Sequence, residues 1–162
     1  MDWTDRVRGV ASTEAASLWN HLWTLECSYW ADVDFNSGRR AYEYYTADAV
    51  YDIGIPGQCS EGQEAIADFY VARRESGVHT LLHIVQNFAL VEWTATSART
   101  RSIVSIYVDE GAPPQACSHP VSMSASDNSY IATEGDLWKV SSRIHNLYFV
   151  DETVLSAARD TN

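Results

Sequence analysis

The chain has 162 residues, 46% of them apolar, which is one domain's length with enough apolar side chains for a core and too many for intrinsic disorder. A formal charge of −11 repels phosphate backbones and anionic lipids, and no apolar run reaches the roughly 18–20 residues of a membrane helix, so neither nucleic acid nor membrane is expected as a partner. The opening MDWTDRVRGV lacks the apolar stretch of a signal peptide, and Cys27, Cys59 and Cys117 are odd in number and widely spaced, which fits reduced thiols in a cytoplasmic protein.

The first predicted element is a long helix from about Thr13 to Val33. Trp19, Leu22, Trp23, Tyr29, Trp30 and Val33 recur at three- and four-residue spacing, and Leu18 and Leu25 widen the stripe. Asp34-Phe35-Asn36-Ser37-Gly38 supplies the stop. Arg39 to Tyr45 reads as a short second helix, and Ala49 to Gly54 as a short strand closed by Pro56-Gly57. Ser60 and Gln63 form a capping box that opens a third helix, with Ile66, Phe69, Tyr70 and Arg73 along its stripe and an end near Gly77.

The period then changes from helical to alternating. His79 to Trp93, Ser97 to Asp109, Val121 to Thr133 and Leu137 to Val150 are rich in Val, Ile, Thr, Tyr and Ser, and turn formers separate them. Three helices followed by four long strands predict a single α+β domain over 1–162, with the helices on one face of a mostly antiparallel sheet. Residues 151–162 are either a helical lid or a loose tail.

Three constellations carry chemistry. Tyr29, Asp32 and Asp34 lie at the end of the first helix, where a carboxylate opposes the macrodipole and calls for a cationic or hydrogen-bonding partner. Along the first long strand Leu81, His83, Val85 and Asn87 share a face, as either a satisfied core pair or the polar floor of a cavity. His79 and His83 lie about 13 Å apart on a strand, too far for a shared zinc ion, and no metal or other cofactor is expected. On the last strand Arg143 shares a face with Ser141, His145, Leu147 and Phe149, and a buried arginine there needs an anion. There is no nucleophile elbow and no glycine-rich phosphate loop.

The stretches YWADVDFNSGRRAYEYYTADAVYDI, GQEAIADF, HTLLHIVQN and LWKVSSRIHNLYF resemble, over almost the whole chain, SnoaL-like members of the nuclear-transport-factor-2-like superfamily. That resemblance implies a cone-shaped curved sheet backed by three helices around an apolar pocket, in a homo-oligomer, dimer or trimer. Within the superfamily the pattern is similar to the lyase branch of scytalone dehydratase, hexachlorocyclohexane dehydrochlorinase and bile-acid 7α-dehydratase. The branch's proton-abstracting dyad falls on Asp34 and His83, and the arginine of its W-K-x-S-x-R stretch, which holds the leaving group, falls on Arg143. The dehydrochlorinase lysine is replaced by Tyr29, which argues against halide loss and matches the bile-acid enzyme. That enzyme's strand aspartate has no counterpart; Ser105 and Tyr107 fall nearest.

The resemblance thus implies a cofactor-free dehydratase acting on a small cyclic apolar molecule. His83 is its base, Asp34 the orienting acid, and Tyr29 and Arg143 the groups on the leaving side. Trp30, Tyr51, Asn87, Ser105 and Tyr107 are the expected substrate-binding residues. An isomerase or epoxide hydrolase on the same scaffold, and a non-catalytic small subunit, remain the alternatives.

Overall fold

The computed structural model describes residues 12–151; the expected lid or tail therefore lies outside the described residues. Helix α1 runs Thr13–Phe35, and the Ser12 hydroxyl caps it by accepting from the Ala15 N–H. Its buried stripe is Ala15, Leu22, Glu26, Tyr29, Trp30 and Val33. Trp19 and Trp23 stack on each other and pack against Phe88 at the stripe's margin. Asp32 closes the helix. Its carbonyl accepts from the N–H groups of Asn36 and Gly38, and its carboxylate from the Asn36 amide and the Arg40 N–H.

The expected second helix is only a 3-10 turn, Ala41–Tyr44, and strand β1 already begins at Tyr45 and runs to Asp52. The reason is Tyr45, whose ring is fully buried among Tyr29 and Tyr51 as a strand residue. Nor does the capping box form. Ser60 pairs with Tyr51 in the short strand β2, Cys59–Glu61, and the helix after it, α2 (Gln63–Glu75), is capped by Gly62. Gln63 instead spends its amide on the carbonyls of Tyr42 and Tyr45, fastening the 3-10 turn to α2.

The long strands are β3 (His79–Trp93), β4 (Ser97–Glu110), β5 (Ser122–Ala132) and β6 (Trp138–Val150). They join one six-stranded sheet in the order β2-β1-β6-β5-β4-β3, antiparallel except for the β1–β6 pair. The sheet is curved and does not close. Register shifts in β3 at Gln86/Ala89 and between β5 and β6 at Met123/Ser124 and Ser129/Tyr130 are bulges of the kind that bend strands. Two α-helices, not three, cover the concave face. That face is aromatic on the helix side, but on β4 and β5 it carries Thr100, Ser102, Ser124, Ser126 and Asn128, all buried.

Candidate active site

Asp34 sits in the last turn of α1 and His83 in the first half of β3, the edge strand of the sheet. An edge strand leaves N–H groups unpaired on its outer side, and Asp34 answers one of them: its Oδ2 accepts from the His83 N–H at 2.9 Å. Its Oδ1 lies 2.6 Å from His83 Nδ1. This double grip places the ring proton on Nδ1 and leaves the Nε2 lone pair for chemistry. Both side chains are nearly closed off, at 3% and 6% exposure. Burial lowers the His83 pKa below its ordinary 6.5, and the hydrogen bond and charge of Asp34 only partly restore it. The Trp30 indole stacks on the imidazole at 4.0 Å between centroids and fixes its plane.

Behind this pair runs a buried polar network. Arg143 is fully enclosed and donates to both oxygens of Glu26 at 2.9 and 2.5 Å. Trp30 Nε1, the Tyr130 hydroxyl and the Asn128 amide also donate to Glu26. Arg143 Nε donates to the Tyr45 hydroxyl, Tyr45 donates to Tyr29, and Tyr29 shares a short hydrogen bond with Tyr70. The guanidinium also lies over the Tyr29 ring, 4.2 Å from its centroid. Burial pushes the hydroxyls of Tyr29, Tyr45 and Tyr70 well up, so all three stay protonated and serve as donors. Burial opposes the charge of Arg143, and Glu26 and the tyrosines outweigh it.

His145 adds a second enclosed imidazole, with Nδ1 2.9 Å from the Ser124 hydroxyl and Nε2 without a partner among the described residues. Burial, then the nearby charges of Arg143 and His83, lower its pKa to about 3. Ser102, whose Oγ likewise has no partner among the described residues, stands in the same cross-strand row through Ser126.

No family model matches the sequence, and no curated protein matches it. Solved structures do match. The β subunit of a proposed aromatic-ring-hydroxylating dioxygenase from Novosphingobium aromaticivorans aligns with a TM-score of 0.70 at 10% identity, over 84% of this chain and 92% of that one. A proposed scytalone dehydratase from the same species aligns with a TM-score of 0.64 at 13% identity, over 83% and 86%. A Nostoc punctiforme protein of unknown function with a cystatin-like fold aligns with a TM-score of 0.65 at 11% identity, over 86% and 95%. The structures this chain matches are SnoaL-like and nuclear-transport-factor-2-like proteins, and the fold it shares with them is cystatin-like.

Within this curved sheet the expected residues separate into three groups. His83, Asp34 and Trp30 converge, and Tyr51 lies on the aromatic wall between Phe69, Tyr70 and His145. Tyr29 and Arg143 are close behind but are spent on other groups: Arg143 finds its anion in Glu26 and does not face a leaving group. Asn87, Ser105 and Tyr107 do not join the site. Asn87 is exposed at a φ of 53° in the β3 bulge, which breaks the alternation that aligned it with His83. His83 pairs with Ile106, so Ser105 and Tyr107, opposite Ile84 and Leu82, point to the convex face. Glu26 and Tyr45 are absent from the site the sequence predicts, while Tyr70 figures there only as a stripe residue and His145 only as a face neighbour of Arg143. The signal for Glu26 was an acid on an apolar stripe, four residues from both Leu22 and Trp30.

Proposed function

We propose that the protein is a cofactor-free lyase of the dehydratase type, with His83 as its base. The observation that carries this reading is the buried His83–Asp34 pair at 2.6 Å, with Nε2 left as the lone-pair nitrogen. In the proposed reaction Nε2 takes a proton from the carbon next to a carbonyl, and Asp34 stabilises the imidazolium that forms. The C–O bond one carbon further on breaks as the double bond forms. The proton on Nε2 then passes to the departing hydroxyl, which leaves as water and returns the base. In the tyrosine chain backed by Arg143, Tyr45 donates to Tyr29 and only one of Tyr29 and Tyr70 donates to the other, so one hydroxyl proton is left over, and in this reading it stabilises an enolate-like oxygen.

The substrate in this reading is a small cyclic β-hydroxy ketone whose ring packs against Trp30 and Tyr51. The convex face of the sheet is assigned to other copies of the chain. The test is turnover of a panel of such ketones, following loss of water by mass, with wild-type protein and the folded variants His83→Ala and Asp34→Asn. Each substitution is expected to lower turnover by about 10²–10⁴-fold; unchanged turnover in both sinks the dyad.

A second reading is a non-catalytic small subunit, supported by the 0.70 TM-score against a dioxygenase β subunit. Co-purification with a larger iron-containing chain, together with no elimination by wild-type protein, would establish that reading instead.

A further inference from the structure

Next to the dyad, a cleft of about 250 Å³ is lined by Asp34 and by residues from the C-terminal ends of α1 and α2 and the start of β3. Tyr70 and Leu81 line it together with Arg39, Arg73, Arg74 and His79. The chain has only 11 Lys and Arg against 22 Asp and Glu, yet three arginines share this cleft with one carboxylate, Asp34. Asp34 already accepts from His83 with both oxygens.

Arginine at a helix C-terminus has an ordinary explanation, since it offsets the dipole and binds the last carbonyls. That explanation covers Arg74, which donates towards the carbonyls of Ser37 and Gly38 at 3.3 and 3.5 Å. The dipole reaches Arg73 as well, in the same last turn of α2, but it gives that guanidinium no bonded partner, and it does not account for Arg39. The guanidinium groups of Arg73, half-buried in the last turn of α2, and of Arg39, exposed in the loop after α1, make no hydrogen bond or ion pair to a described residue. Two arginine forks without a bonded partner, lining one small cleft together with Tyr70 and Leu81, match a planar oxyanion attached to a ring.

We infer that this cleft binds an oxyanionic group, carboxylate or phosphate, of an otherwise apolar ring compound, through Arg39 and Arg73. Calling that compound a substrate rests on the dehydratase reading above. The two sites are electrostatically joined, because the charge of Arg73 bears on His83 and helps to hold its pKa down. An anion in the cleft offsets that charge beside the base.

The experiment compares 1-naphthoate, 1-naphthyl phosphate and uncharged 1-naphthamide by calorimetric titration, at low and raised salt. At least one anion is expected to bind about tenfold or more tightly than the amide, and to weaken with salt. Arg73→Gln and Arg39→Gln are each expected to remove most of that preference while leaving amide binding unchanged. The stronger anion identifies the group. Equal binding of amide and anions, no binding at millimolar anion, or a preference that survives the Arg39→Gln/Arg73→Gln double variant overturns the inference. His83→Ala is expected to keep the preference. A preserved anion preference with unaltered turnover in the dyad variants therefore removes only the lyase reading, and dyad-dependent turnover with no preference removes only this one.

Discussion

Arg143 on β6 and Glu26 on α1 meet through two parallel hydrogen bonds in a place where neither side chain is exposed. Such a pair fastens the long helix to the sheet, but its net contribution is small because both charges leave water. Breaking one side is different. Glu26→Gln strands a buried guanidinium and is expected to cost roughly 3–5 kcal/mol, read as a lower urea midpoint at unchanged slope. The double variant Glu26→Gln/Arg143→Met removes the stranded charge and is expected to recover a large part of that loss.

The depressed pKa of His83 fixes the direction of the pH profile. A base must be neutral, so kcat/KM is expected to be flat above about pH 7 and to fall only as pH drops through a value below 6.5. Asp34 raises the His83 pKa against the effect of burial. Asp34→Asn is therefore expected to move the acid limb to still lower pH while the plateau falls. An acid limb at or above 6.5 in wild-type protein contradicts the assignment.

The fold was legible because its signals are local and repeated. The four long strands show as alternating Val, Ile, Thr and Tyr, and β3 begins and ends at the residues the pattern predicts, His79 and Trp93. The site was legible where one residue type implied a need: Asp34 opposing a helix dipole, and His83 among apolar neighbours. It was illegible wherever cross-strand register decides. Nothing in the spacing of Asn87, Ser105 and Tyr107 reveals a bulge or says which neighbour His83 faces. The same blindness hid Glu26, whose partner lies 117 residues away.

His145 gives a stability prediction of definite sign. Its folded-state pKa of about 3 lies below the ordinary 6.5, so the unfolded chain takes up a proton that the folded one refuses. Its contribution is fully present above pH 6.5 and is lost as pH falls towards 3, by roughly 1 kcal/mol per pH unit. Urea titrations at pH 7 and pH 4.5 are expected to show this loss, and a folded His145→Gln protein to show a shallower one. Equal slopes in both proteins would exclude His145 as the source.

Gly38 ties the turn after α1 to the tyrosine cluster. Its φ is 66°, and a Cβ there would stand 2.3 Å from the Tyr70 ring. Gly38→Ala is expected to destabilise by about 1–3 kcal/mol and to displace Tyr70 from Tyr29. Thermal unfolding together with tyrosine absorbance checks both effects.

The convex face supplies the last prediction. Leu82 and Tyr107 are cross-strand neighbours there, Ile84 follows two residues along β3, and all three are exposed large side chains. A run of this kind on the sheet's open face, next to the edge strand β3, favours burial against another chain. Since the concave face is already occupied by α1 and α2, the convex face is the one that a second copy of the chain would cover. Light scattering after size exclusion is expected to give a mass of two or three chains, and the double variant Leu82→Glu/Ile84→Glu is expected to give one chain with unchanged circular dichroism. A monomeric wild-type protein at micromolar concentration would exclude a second copy of the chain as the cover of this face.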